Sequence, residues 1–181
     1  MGTQRKPSDA ILTYWLIPAE PAHQYFTAVI SELAAQFDAP VFEPHLTVYV
    51  TKAEDEKATE SLSRALANRP PYRLSVSGIR YSGKFTKTVF VQFAPNRELT
   101  ALTESLRSVS NSHREYQLQP HLSLIYQTMP DEAKAEIACS LVLPFNEIVF
   151  DCAKAIISPT PVRSREDVEA WRVVATQKLI E

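Results

Sequence analysis

Apolar residues recur along this chain at two periods, and the switches between them mark its elements. Ile11 to Ile17 (ILTYWLI) is dense in β-branched and aromatic residues and halts at Pro18, which predicts a strand. Between Pro21 and Phe37, the residues Phe26, Ile30, Leu33 and Phe37 form the stripe of an amphipathic helix. His45 to Val50 (HLTVYV) predicts a second strand. Thr51 with Glu54 then makes a capping-box pattern, opening a helix that carries Leu62 and Leu66 to Asn68.

Pro70-Pro71 breaks the chain. Beyond it, Tyr72 to Ser82 and Val89 to Phe93 read as a hairpin around the turn Lys84 to Thr88. Asn96 caps a helix with Leu99, Leu102, Leu106 and Val109 on its core face. A polar loop (SNSHREYQLQ) leads into a strand around His121 to Tyr126, and Thr128, Pro130, Asp131 and Glu132 start another helix. Phe145 to Ile157 predicts a strand, Ser158 to Glu169 a proline-containing loop, and WRVVAT a last strand. Strands alternate with helices but long hairpins intrude, so the expected class is α+β, as one domain over residues 1–181.

One pattern occurs twice. Glu43 to Val50 reads EPHLTVYV and Gln119 to Tyr126 reads QPHLSLIY, so Pro-His-Leu-[Thr/Ser] returns after 76 residues. In each half an amphipathic helix precedes the motif strand and a helix with a start signal follows it. Such matching contexts predict duplicated halves related by a pseudo-twofold axis. A single Pro-His-Leu-[Thr/Ser] is expected by chance in roughly one of several hundred chains this long, and the pair is rarer by a similar factor.

Alternation along a strand points His45 and Thr47 to one face, about 7 Å apart at a rise of about 3.3 Å per residue. His121 and Ser123 do the same, while Leu46, Val48, Leu122 and Leu124 back them. Two imidazoles and two hydroxyls suit a phosphodiester. A neutral imidazole takes a proton from water, a protonated one gives a proton to the departing oxygen, and hydroxyls hold the non-bridging oxygens. These residues alone leave open which histidine plays which part.

Composition narrows the partner. Hydrophobic residues make up 45% and charged residues 22%, ordinary for a soluble domain, and a net charge of −2 argues against a long nucleic acid. No apolar run approaches the roughly 18 residues of a membrane span, and MGTQRKPSDA is too short and polar for a signal peptide, so a cytoplasmic location is expected. Gly2, Gly78 and Gly83 are the whole glycine supply, which excludes glycine-rich phosphate cradles. Cys139 and Cys152 are expected to be buried free thiols. No His/Cys/Asp cluster has ligand spacing, so neither a metal nor another cofactor is expected. Acidic clusters at the starts of two helices, Glu54-Asp55-Glu56 and Asp131-Glu132, favour the helix dipole. His23 and His113 are expected at the surface.

At the doubled motif the sequence resembles the two-histidine (2H) phosphoesterase superfamily, through His-Leu-Thr-Val (45 to 48) and His-Leu-Ser-Leu (121 to 124). The stretches YWLIPAEP, FEPHLTVYV, QPHLSLIYQTMPDEAKAE and EAWRVVA resemble the cyclic phosphodiesterase group within it. The resemblance implies a bilobal fold with two antiparallel sheets around a central cleft and helices outside. It implies metal-independent opening of ADP-ribose 1″,2″-cyclic phosphate, a tRNA-splicing by-product, to the 1″-phosphate, and of nucleoside 2′,3′-cyclic phosphates to 2′-phosphates. It makes His121 the base, His45 the acid, and Thr47 and Ser123 the phosphate ligands.

Further candidate contacts are Tyr126, which strict alternation points away from His121, and Lys84, Phe85 and Lys87 at the hairpin tip. Phe42 reads either as a base-stacking ring or as core, and Trp15 as packing or as a cleft wall. The expected partner is a small nucleotide cyclic phosphate as substrate, and the chain is expected to be a monomer. Two other readings are an enzyme of RNA ends, by cyclic-phosphate hydrolysis or 2′–5′ ligation, and a non-catalytic nucleotide-binding module.

Overall fold

Strand β1 (Asp9–Pro18) lies between two antiparallel partners, β2 (Leu46–Lys52) on one edge and β6 (Glu147–Thr160) on the other. The computed structural model describes residues 9–53, 55–110 and 116–180. Around β1 the remaining strands, β3 (Tyr72–Lys84), β4 (Lys87–Phe93), β5 (His121–Ile125) and β7 (Arg172–Lys178), complete one sheet in the order β1-β2-β5-β4-β3-β6-β7. Every pairing is antiparallel, and the β1–β6 ladder closes the first six strands on themselves. The architecture is α+β, as the alternation of periods predicts.

The sheet count differs from expectation. Two sheets were implied, but hydrogen bonding joins them into one, through Leu46↔Leu122 between the motif strands and through Tyr72 to Ser75 with β6. At the β2–β5 seam β1 lies outside β2, β4 and then β3 lie outside β5, and β6 bridges β3 and β1. Strand β3 leaves β6 for β4 at a register slip that includes Gly78, whose φ of 133° only glycine adopts readily.

Helices cover the sheet across the seam. Helix α1 (Ala22–Phe37) buries Phe26, Ile30 and Leu33 of its predicted stripe and packs against β5. Helix α3 (Arg97–Val109) buries Leu99, Leu102 and Leu106 and packs against β2, where the Thr103 hydroxyl donates to the Val48 carbonyl at 2.9 Å. Asn96 caps it as predicted, its side chain accepting from the Leu99 N–H at 2.8 Å. Helix α2 (Asp55–Ala65) lies on β6 and β7, and α4 (Asp131–Ser140) on β3 and β4.

Three local expectations need correction. Thr51 does not open the helix expected there: it belongs to β2, pairs with Leu12 and is buried, and α2 begins at Asp55. Its capping-box partner Glu54 lies outside the described residues, as does His113. The loop expected from Ser158 to Glu169 holds a short helix, α5 (Arg165–Glu169). There Ser164 accepts from the Asp167 N–H while the Asp167 carboxylate accepts from the Ser164 N–H, a capping box legible as Ser-x-x-Asp. Cys152 is buried as expected, but Cys139 is exposed, because it falls on the outer face of α4.

Candidate active site

The seam pair decides where the two motifs meet. Leu46 and Leu122 stand opposite each other on antiparallel strands, both fully buried. One step along that register in either direction sets Thr47 across from His121 and His45 across from Ser123. The His-x-[Thr/Ser] spacing thus gives each imidazole a hydroxyl from the other strand. All four residues line one cavity of about 190 Å³, together with Thr86, Tyr116 and Tyr126.

Both imidazoles are oriented alike. His45 Nδ1 lies 2.6 Å from the Glu43 carbonyl, and His121 Nδ1 lies 2.6 Å from the Gln119 carbonyl. A carbonyl oxygen only accepts, so each Nδ1 carries the proton and each Nε2 is the nitrogen free for proton transfer. Burial holds both below the ordinary histidine value, His45 to about 4 and His121 to about 4. The carbonyl bonds oppose this shift in both rings. His121 adds to it at His45, and Lys87 and Lys84 add to it at His121. Empty of anion, the site holds two neutral imidazoles at neutral pH. A bound phosphate anion draws their values back up.

Their surroundings differ. His45 is 6% exposed and lies face to face with Trp15, ring centroids 3.7 Å apart at 13°. Phe42 stacks on Tyr126 at 4.0 Å, and Trp171 meets Trp15 edge-on at 5.1 Å and His45 at 5.8 Å. The π-face of Trp15 favours a protonated His45. His121 is half-buried, touched edge-on by Phe90 and flanked by positive charge. Positive charge favours its neutral form.

The remaining candidates fall into place unevenly. Tyr126 does face the cavity, against strict alternation: the β4–β5 register slips between Phe90↔Ser123 and Val89↔Ile125, and β5 ends at Ile125. Its hydroxyl lies 3.5 Å from His45 Nε2, and burial pushes its pKa up. Phe42 and Trp15 are buried against Tyr126 and His45 and are not among the cavity's lining residues. Lys84 is exposed at the hairpin tip, while Lys87 is half-buried, donates to Gln119 Oε1 at 3.2 Å and sits 4.4 Å over the Phe90 ring. His23 is half-buried instead of exposed, with its ring nitrogens near Glu20 and Glu43.

The two hydroxyls are not equivalent. Ser123 is buried and donates to the Thr86 carbonyl at 2.9 Å, tying the hairpin turn to β5. No such bond occupies the Thr47 hydroxyl among the described residues. Its carbonyl accepts from the Tyr116 hydroxyl at 3.2 Å, a phenol that burial pushes up to about 12. Sequence patterning missed Tyr116, Thr86 and Trp171 as site residues. An aromatic inside the polar loop SNSHREYQLQ was the one signal for Tyr116, whereas Thr86 contributes a backbone group that leaves no mark on side-chain pattern. Among the described residues no three His, Cys, Asp or Glu side chains converge as a metal site would require.

Comparison with known proteins agrees with this geometry. The chain is 26% identical over 176 residues to a cyclic phosphodiesterase of Arabidopsis thaliana, covering 93% of this chain and 95% of that protein. Its fold is similar to Escherichia coli LigT complexed with phosphate, at TM-score 0.55 and 17% identity, over 96% of this chain and 99% of the other. LigT complexed with 3′-AMP matches at TM-score 0.55 and 20% identity with the same coverage. Residues 18–156 match the model of the 2′-5′ RNA ligase superfamily. This span contains both histidine motifs, and the chain therefore belongs to that superfamily, the two-histidine phosphoesterases.

Proposed function

We propose that this protein hydrolyses small nucleotide cyclic phosphates, with ADP-ribose 1″,2″-cyclic phosphate opened to the 1″-phosphate and nucleoside 2′,3′-cyclic phosphates opened to 2′-phosphates, without a metal ion. The observation that carries this reading is the pair of histidines lining one small cavity, each ring fixed through Nδ1 to a carbonyl, which leaves its Nε2 for proton transfer. His121 Nε2 takes a proton from water as its oxygen bonds to phosphorus. The bond from phosphorus to one ring oxygen breaks, and His45, protonated at Nε2 in the bound complex, gives that oxygen a proton. Lysines beside His121 and the indole face against His45 support this division of roles. Thr47 donates to a non-bridging oxygen, and Ser123 joins it by turning from Thr86.

A cavity of about 190 Å³ accommodates a cyclic phosphate and little more, so the rest of the nucleotide lies outside it, within reach of Lys84 and Phe85 at the hairpin tip. The relative from Arabidopsis thaliana, a cyclic phosphodiesterase, favours the same substrate class. The name of the matched superfamily, 2′-5′ RNA ligase, keeps RNA ends as the second reading. Incubating the protein in EDTA with each cyclic phosphate, beside a His45→Ala, His121→Ala double variant, tests the proposal. Ring opening by the wild type alone is the expected result. No turnover by either protein overturns it and turns attention to RNA ends.

A further inference from the structure

The residue two places before each histidine is tied down twice, and by the same means in both halves. Its carbonyl accepts from the histidine Nδ1, and its side chain accepts from a lysine. Lys154 Nζ on β6 reaches both carboxylate oxygens of Glu43, at 2.6 and 2.7 Å. Lys87 Nζ, at the start of β4, reaches Oε1 of Gln119 at 3.2 Å. Both tied residues lie outside helix and strand, Glu43 in the stretch 39–45 before β2 and Gln119 just before β5. No ladder fixes the direction of their carbonyls. A proline follows each of them, Pro44 and Pro120, and has no N–H with which to anchor the peptide.

We propose that Lys154 is a positioning residue for His45, acting through Glu43, and that Lys87 is the corresponding positioning residue for His121, acting through Gln119. By holding the side chain, each lysine aims the carbonyl that selects the Nδ1–H tautomer, and so delivers Nε2 to the cavity. Register supports this for Lys154. Trp15 pairs with Thr47 on one side and with Lys154 on the other, so one row across three strands carries a cavity hydroxyl, the ring against His45 and the clamp. Lys154 itself does not line the cavity. The Lys154 clamp is the stronger of the two, because it is an ion pair and three-quarters or more buried at Nζ's side chain, while Gln119 is neutral and exposed. His23 also faces Glu43, its Nε2 3.8 Å from Oε1, and Glu20 lines the same surface pocket.

This inference rests on the two-histidine reading of the site, and its test separates the two. Two-bond proton–nitrogen correlation spectra of nitrogen-15-labelled protein at pH 7.5 report the tautomer of each neutral imidazole without any substrate. The wild type is expected to show Nδ1–H alone at both His45 and His121. Lys154→Met should mix the tautomers of His45, leave His121 as an internal control of folding, and lower kcat about tenfold with KM within about twofold. Lys154→Arg should restore both. Gln119→Leu should mix His121 and spare His45. Unchanged tautomers in Lys154→Met and Gln119→Leu would overturn the clamps. Expected tautomers in a wild type that opens no cyclic phosphate would overturn the phosphodiesterase reading alone.

Discussion

Leu46 stands opposite Leu122, and among the described residues this one pair joins β2 to β5. It is also what places the two motifs side by side. Replacing Leu46 with alanine opens a cavity beneath both imidazoles and costs about 2–5 kcal/mol of stability. Urea unfolding should show that loss, and kcat of the folded protein should fall as well, since the seam holds one histidine on each side. A variant that loses stability and keeps full kcat would show that the register is maintained without this pair.

The pH dependence of turnover follows from the lowered histidine values. The proposed mechanism needs one imidazole protonated and the other neutral. In the free enzyme both are held near 4, so the competent fraction, read in kcat/KM, falls as pH rises from 5 to 8. Phosphate in the cavity raises the value of the acid, and kcat should hold to a higher pH than kcat/KM does. Superimposable profiles with both limbs near 6.5 would contradict the burial that the structure shows.

Much of this was legible in the chain. The apolar stripes of α1 and α3, the Asn96 cap and the doubled motif follow from local chemistry, which tertiary structure did not override. What failed was decided at longer range. Thr51 has the spacing of a cap, but pairing with Leu12 keeps it in a strand. Tyr126 reads as facing away from His121 only if β5 runs without a slip, and slips arise from the neighbouring strand. Trp171 reaches His45 because β7 lies beside β6, a relation that no local pattern announces.

Stability should depend on pH through His45. Its folded value, about 4, lies below the unfolded value near 6.5, so the unfolded chain takes up the proton first. Stability is therefore undiminished above pH 6.5 and declines as pH falls toward 4, by on the order of 3 kcal/mol once both states are protonated. His45→Gln removes this contribution. Melting temperatures between pH 7 and pH 4 should fall less steeply in the variant than in the wild type. Parallel slopes would show that His45 takes up its proton as readily in the fold as outside it.

The two hydroxyls should separate under substitution. Thr47 is half-buried and its hydroxyl has no hydrogen-bond partner among the described residues, so Thr47→Val removes the phosphate donor of the proposed mechanism and leaves the fold intact. Ser123 holds the Thr86 carbonyl, and Ser123→Ala strands that acceptor while loosening the hairpin turn that carries Lys84. Thr47→Val is expected to lower kcat by about 10²-fold with an unchanged melting temperature, on the scale of losing one oxyanion donor. Ser123→Ala should cost about 1 kcal/mol of stability in addition to activity. On the proposed function it should also raise KM, because the hairpin tip proposed to meet the rest of the nucleotide is no longer held. Equal effects of the two substitutions on stability and KM would mean that the Ser123–Thr86 bond does not tie the hairpin to the site.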